Sequence, residues 1–156
     1  MKEDLRRIRG IANYQFGREA GMVLFPDNVS IDYSRNTGRI RHIYAGEELL
    51  AAFRPNDGLF TLTIAGAKRL ISGLGDFGYT VVVDDDVSEF VGQGRNVFAK
   101  HVVDACEKIR PGDEVIVVDS GRNVLAVGKA VMIRKEMLAF KRGVAVKVRR
   151  GRETDR

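Results

Sequence analysis

A glycine cluster near the middle of the chain is the feature that most limits its possible folds. Gly73, Gly75 and Gly78 lie within six residues, and glycines at this density are typical of a linker rather than the interior of a helix or strand. The cluster divides the 156 residues into segments 1–77 and 78–156, each of which must then bury a hydrophobic core of its own. The sequence therefore predicts two small domains and excludes a (β/α)₈ barrel, which needs about 250 residues.

The first segment combines helical and strand patterns. Apolar residues recur every three to four positions from Leu5 to Phe16, which predicts an amphipathic helix that ends at Gly17. Helical spacing returns over Ala65–Leu74. Between the two helices, period-two alternation bounded by turn residues predicts four strands: Val29–Tyr33, Arg39–Tyr44, Leu49–Phe53 and Leu59–Ile64. This order of elements is typical of a small α+β domain.

The second segment is richer in strands. A glycine-bracketed loop, Phe90–Asn96, leads into a predicted helix over Asn96–Lys108, on which Phe98 and Val102 face the core. A short segment over Arg134–Phe140 interrupts the strands that follow. Apolar runs between turn residues predict four strands: Thr80–Val83, Glu114–Val118, Val124–Met132 and Gly143–Arg149. The segment therefore reads as a small mixed sheet or barrel.

The position of the charges is more informative than their sum. The chain carries 26 Lys and Arg against 21 Asp and Glu, a net charge of +5. From Arg122 to Arg152, however, ten basic residues face the single acid Glu136. Such segregation is typical of a nucleic-acid surface, because each cation near a phosphate releases condensed counterions. A solubilising face neutralised by neighbouring acids is the alternative, and charge alone does not decide between them.

The residues that usually carry catalysis or bind metals are sparse. The lone Cys106 excludes an internal disulfide and a cysteine-rich zinc site, and His42 and His101 lie in different segments. The run Asp84–Asp86 places consecutive carboxylates on a turn, where they point in different directions. We therefore predict no catalytic residue, no metal and no cofactor. The absence of a signal peptide and of a long apolar run predicts a cytoplasmic protein without membrane contact.

The loop Gly92-Gln93-Gly94 has two interpretations. Free backbone N–H groups at the start of a helix attract anions, so a glycine loop ahead of a helix can bind phosphate. The alternative is a tight turn from a strand into a helix, because the Walker pattern and the third glycine of the dinucleotide fingerprint are absent. Arg95 and Lys100 near the predicted helix start favour a nucleic-acid backbone over a nucleotide cofactor.

A series of motifs in the second segment resembles the PUA domain, a pseudo-barrel attached to RNA-modifying enzymes and found in some translation factors. The series, within about Thr80–Gly151, comprises Arg110–Asp119, Leu125–Ala130, Lys135–Met137 and Gly143–Arg149. Further motifs extend the resemblance to the C-terminal part of archaeal archaeosine tRNA-guanine transglycosylase: Tyr14–Gly17, Thr37–Arg41, Asp57–Leu59, Gly66–Ala67 and Val97–Lys100. The resemblance covers nearly the whole chain and implies a small α+β domain followed by a PUA-type mixed β pseudo-barrel.

The resemblance also implies a function. In that family these domains hold the acceptor arm of tRNA, whereas a separate barrel performs the base exchange, and 156 residues with one cysteine have no counterpart of that barrel. We therefore expect a stand-alone, non-catalytic RNA-binding protein, most simply one that binds tRNA and assists a separately encoded transglycosylase or other tRNA-modification enzyme. A ribosome- or translation-associated PUA protein is the alternative, followed by an RNA-modifying enzyme in its own right.

The RNA-contacting positions follow from the way PUA domains present their glycine loop and last strand. Phe90 is the candidate for stacking on a base, whereas Phe98 is expected in the core. Lys147 and Arg149 alternate with valines and share the solvent face of the last strand, and Arg39 and Arg41 share one face of the first hairpin. The predicted RNA-binding residues are Phe90, Gly92, Gly94, Arg95, Asn96, Lys100, Arg134, Lys135, Lys147, Arg149 and Arg150.

Overall fold

The computed structural model consists of two units, Met1–Phe77 and Gly78–Arg156. The structure describes residues 2–75 and 77–154. The longest helix, α1, has 15 residues, and none of the described helices combines the length and the apolar character needed to cross a membrane. Each unit builds its own sheet, one of four strands and one of six.

The first unit packs helices against a four-stranded antiparallel sheet with the order β1-β2-β3-β4. Its helices are α1 (Lys2–Phe16), α2 (Ala20–Leu24) and α3 (Ile64–Gly73). Its strands are β1 (Ser30–Tyr33), β2 (Ile40–Ala45), β3 (Glu48–Phe53) and β4 (Phe60–Leu62). The predicted helices, hairpin and strands of this segment are confirmed to within a few residues.

Local chemistry explains where the helices of this unit begin and end. On α1, Ile8, Ala12 and Phe16 are buried at helical spacing. The helix ends before Gly17, whose φ of +109° is the left-handed conformation that glycine adopts without steric cost. At the start of α3, Thr63 Oγ1 accepts a hydrogen bond from the Gly66 N–H at 3.1 Å, which caps the helix.

The second unit is a mixed, nearly closed β pseudo-barrel with the strand order β6-β10-β9-β8-β5-β7. Only β5 and β8 are parallel, and the other neighbours are antiparallel. Its strands are β5 (Thr80–Val83), β6 (Val97–Phe98), β7 (Val102–Ala105), β8 (Glu114–Val118), β9 (Val124–Ala130) and β10 (Val144–Gly151). Its helices are α4 (Ser88–Gly92) and α5 (Arg134–Ala139), with 3₁₀ turns at Asp85–Val87 and Ala99–His101. The predicted α+β class is confirmed.

The predicted helix over Asn96–Lys108 is wrong. This stretch forms β6, a 3₁₀ turn and β7 instead, because its two short strands pair with β10 and β5. Val97 is buried whereas Phe98 is 45% exposed, which is the alternation of a strand rather than the spacing of a helix. The helix in this region lies ahead of the glycine loop, since α4 ends at Gly92.

Candidate nucleic-acid interface

Two exposed aromatic rings line a small cavity in the second unit. Phe90 is 53% exposed and Phe98 is 45% exposed, and both border a cavity of about 240 Å³. The guanidinium carbon of Arg95 lies 5.6 Å from the centre of the Phe90 ring, in range for a cation–π contact. The remaining lining residues are Val87, Val91, Asn96, Val97 and His101. The cavity therefore offers flat apolar faces beside a cation.

Each ring is exposed because its neighbour in sequence is buried. On α4, Val91 packs into the core and leaves Phe90 on the outer side. On β6, Val97 lies opposite Val146 of β10 and is buried, so that the next side chain points outward. The expected core position of Phe98 is therefore wrong, and the sequence pattern predicted neither this residue nor His101 at the cavity. Reading Val97-Phe98 with the period of a strand identifies Phe98 as exposed.

The glycine loop follows α4 and caps its C-terminus, so it opens no helix, and both interpretations, a phosphate site at a helix N-terminus and a turn from a strand into a helix, are wrong. The Gly94 N–H donates to the Val91 carbonyl at 2.9 Å, and the Arg95 N–H donates to the Phe90 carbonyl at 3.2 Å. The Gln93 N–H donates to carbonyls of the same helix. These three amides satisfy the last turn of α4, so they are already engaged within the protein.

The same loop packs directly against the end of β10. The Gly92 carbonyl accepts from the Glu153 N–H at 2.8 Å. A Cβ atom on Gly151 would lie 2.3 Å from the Gly92 oxygen, so the close approach of the two backbones requires glycine. Asn96 Oδ1 accepts from the Val148 N–H at 2.9 Å. Hydrogen bonds thus connect Gly92 and Asn96 to β10 and the residues after it, which brings the predicted loop and strand residues together.

The cations of β10 are not equivalent. Lys147 is exposed and lies directly opposite Lys129 of β9, which in turn lies opposite Glu114 of β8. Arg149 lies at a bulge, since the pairing of β10 with β9 shifts between Val148 and Arg150.

Arg149 reaches across the sheet to a buried carboxylate. Its Nη1 donates to Glu114 Oε1 at 2.8 Å, and its Nη2 donates to Glu114 Oε2. The Glu114 side chain is 1% exposed and the Arg149 side chain 34%. The charge of Arg149 is therefore used to stabilise Glu114, which differs from the predicted phosphate contact. Arg150 is exposed at the following position.

Arg134 and Lys135 lie away from the aromatic cavity. They begin α5, which packs against β7 and the Ala99–His101 turn. Arg134 forms ion pairs with Asp104 at 3.1 Å and Glu107 at 3.9 Å. It lines a separate open cavity of about 710 Å³ together with Lys135. Lys100 is exposed on the turn that α5 contacts.

The acidic run of this unit has local partners. Asp84 Oδ1 accepts from the Asp86 N–H at 3.0 Å, and Asp85 accepts from the Ser120 N–H at 2.9 Å and from the Ser120 hydroxyl at 2.6 Å. The hydrogen bonds from the Ser120 hydroxyl and amide lower the pKa of Asp85. Within residues 2–75 and 77–154, no group of three or more His, Cys, Asp or Glu is arranged to hold a metal ion.

The geometry and the sequence together define the class of the protein. The fold of the second unit is that of a PUA domain, and the family described as the PUA domain matches residues 79–152. The family described as the patch-forming domain C2 of tRNA-guanine transglycosylase matches residues 6–75. The chain therefore consists of a transglycosylase C2 domain followed by a PUA domain. It resembles the C-terminal region of archaeal tRNA-guanine(15) transglycosylase, which confirms the expected resemblance.

Individual relatives support this assignment. The chain is 46% identical over 149 residues to the tRNA-guanine(15) transglycosylase of Methanothermobacter thermautotrophicus, covering 96% of this chain and 23% of the relative. It thus spans about a quarter of the length of the curated relatives it matches. A hypothetical protein from Pyrococcus horikoshii superposes with a TM-score of 0.75 at 27% identity, covering 100% and 97% of the two chains. A conserved PUA domain protein from Thermoplasma acidophilum has the same fold, with a TM-score of 0.65 at 22% identity and coverage of 96% and 89%.

Proposed function

We propose that this chain is a non-catalytic RNA-binding protein that holds the acceptor arm of tRNA for a tRNA-guanine transglycosylase reaction in the cytoplasm. The observation that supports it best is the cavity between Phe90 and Phe98, with Arg95 above the first ring. Both phenylalanine rings are about half exposed and border the same cavity, which gives a ligand two flat apolar faces.

The chemistry of the cavity suits an unstacked nucleobase. Proteins recognise single-stranded RNA ends by stacking their bases on aromatic rings and on arginine planes. A cavity of about 240 Å³ lies below the range of roughly 300–1,000 Å³ that drug-sized ligands occupy, which favours one planar base over a larger ligand. Asn96, His101 and Arg95 add polar groups at its border. The 3′ end of tRNA, which is single-stranded, provides such a base.

Exposed cations near the cavity would hold the phosphates of the same strand. Arg95 and Lys100 flank the aromatic residues in sequence, and Lys147 and Arg150 lie on β10, the strand that pairs with β6. In this proposal Gly92, Gly94 and Asn96 position the loop, and the exposed Lys135 provides a cation at the separate cavity beside α5, where Arg134 is ion-paired with Asp104 and Glu107.

A binding role rather than a catalytic role suits the composition of the cavity. Among the described residues that line it, no carboxylate or thiol is present, and His101 is its single proton-transfer group. General acid–base catalysis commonly uses two titratable groups of different pKa. We therefore assign the chemistry to a transglycosylase catalytic domain and the positioning of the substrate to this chain.

A binding titration with intact tRNA and with tRNA that lacks its single-stranded 3′ end tests the proposal. Stacking contributes about 1–3 kcal/mol per base, so removal of the end should weaken binding about tenfold. Equal affinity for the two tRNAs would refute recognition of the end. Tighter binding to ribosomal particles than to free tRNA would instead support a translation-associated role.

A further inference from the structure

The first unit contains a second positively charged cavity, which the proposed acceptor-end site does not use. Its volume is about 740 Å³, and its lining includes the four arginines Arg7, Arg39, Arg41 and Arg54 together with His42. No carboxylate is among the described residues that line it. We call this cavity the arginine cleft. A cleft that concentrates one sign of charge attracts ligands of the opposite sign.

Only part of this positive charge is neutralised within the protein. Arg54 pairs with Asp57 at 2.7 Å, and His42 lies 3.0 Å from Asp32. The remaining arginines of the cleft, Arg7, Arg39 and Arg41, are exposed and form no ion pair with any described residue. Like charges gathered in one cleft repel one another, and a bound anion would relieve this repulsion.

The fold sets the direction of these side chains. Arg39 immediately precedes β2 and Arg41 is its second residue; both are exposed on either side of the buried Ile40, and both line the cleft. The turn before them is held by the Ser34 N–H, which donates to the Arg39 carbonyl at 2.7 Å. Ser34 and Thr37 of this turn also line the cleft, where their hydroxyls are further hydrogen-bonding groups.

The size and the side chains of the cleft favour an extended phosphate chain over a single small anion. Guanidinium groups bind phosphate with two parallel hydrogen bonds, and three unpaired arginines, one on α1 and two at the start of β2, provide several such contacts. We propose that the arginine cleft binds backbone phosphates of an RNA duplex, independently of its sequence. This inference rests on the proposed RNA-binding function, but it assigns a second contact to the C2 domain, on a different part of the RNA.

The salt dependence of binding tests this proposal. The full-length variant Arg39→Gln/Arg41→Gln is titrated with tRNA between 50 and 200 mM salt. Loss of two phosphate contacts should reduce the slope of log K against log[salt] by about two. The unmodified protein should bind tRNA more tightly than the variant at 50 mM salt, and this difference in affinity should decrease about tenfold between 50 and 200 mM salt.

A control of equal charge separates the cleft from the general surface. Arg6→Gln/Arg18→Gln removes two exposed arginines of the same unit that do not line the cleft, and it should retain the slope of the unmodified protein. Identical slopes for the two double variants would overturn the proposal. Arg7→Gln, on a different element, repeats the test with an expected decrease of about one if the first variant folds poorly.

The two proposals fail in different ways. The arginine cleft should contribute equally to intact tRNA and to tRNA without its 3′ end, because it contacts the duplex. If removal of the end has no effect while Arg39→Gln/Arg41→Gln still lowers the slope, end recognition is wrong and the cleft is supported. If the variant binds RNA normally but loses affinity for an acidic protein, the cleft is a protein-binding site and the proposal is wrong.

Discussion

Replacing Arg149 by methionine tests the role that the structure gives this arginine. Both terminal nitrogens of Arg149 donate to the carboxylate of Glu114, which is 1% exposed. Methionine retains much of the aliphatic length of the side chain and removes both donors. The substitution therefore leaves a buried carboxylate without the cation that compensates its desolvation.

The expected cost follows from this geometry. Breaking a buried ion pair by removal of one partner costs about 3–5 kcal/mol. The Arg149 side chain is 34% exposed, so water can reach the site after the substitution, and we expect a loss of about 3 kcal/mol, at the lower end of that range. Since a domain is stable by only about 5–15 kcal/mol, this loss is a large part of the stability of the unit.

Amide hydrogen exchange of β8 and β9 measures this stability without interference from the first unit. Glu114→Gln/Arg149→Met should be less destabilised than Arg149→Met alone, by about 1 kcal/mol or more, because the charge is removed as well. Lys147→Met, on the same strand, is the control, and its free energy of unfolding should lie within about 0.5 kcal/mol of that of the unmodified protein. If Arg149→Met also lies within that limit, the ion pair has no structural role and the reasoning is refuted.

Two further predictions concern the stability of the fold. A Cβ on Gly10 of α1 would meet no atom within 4 Å, so Gly10→Ala should stabilise the first unit by about 0.5–1 kcal/mol. A Cβ on Gly21 would lie 2.3 Å from the Arg9 carbonyl oxygen, so Gly21→Ala should destabilise the unit. Urea denaturation measures both effects, and equal denaturation midpoints for the two variants would contradict the close contact at Gly21. Burial and the nearby Asp113 raise the pKa of Tyr79 above its usual 10.0. The folded state thus holds this proton more tightly, so the contribution of Tyr79 to stability is complete below pH 10 and decreases as the pH rises through the raised pKa. An NMR titration of the Tyr79 ring checks this, and a midpoint at or below 10 would be inconsistent with its burial.

The elements that the sequence predicts correctly are those in which one pattern dominates. The helical spacing from Leu5 to Phe16 and the alternation around Ser34–Gly38 both describe half-buried elements with one apolar face. The stretch 96–108 is different, because its strands have only two and four residues and are separated by a 3₁₀ turn. Segments this short contain too few residues to distinguish the two periods, and pairing with β10 and β5 decides their conformation.

The candidate site shows a similar limit. Phe90 was predicted as a stacking residue, and its exposure is consistent with that prediction. Phe98 and His101 join it only because the chain turns at Ala99–His101, which the predicted helix did not contain. Charge patterning likewise located the basic C-terminal stretch but not the partner of Arg149, because Glu114 lies 35 residues away in sequence. Which cations remain available to a ligand depends on such long-range pairs.

The most direct test of the central claim combines Phe90→Ala with removal of the 3′ end of tRNA. If the Phe90 ring stacks on a base of that end, the substitution weakens binding of intact tRNA by about tenfold and leaves binding of the truncated tRNA unchanged. Phe140→Ala, which removes a similarly exposed ring outside the cavity, should affect neither. An equal effect of Phe90→Ala on both tRNAs, or no effect on either, would contradict the account.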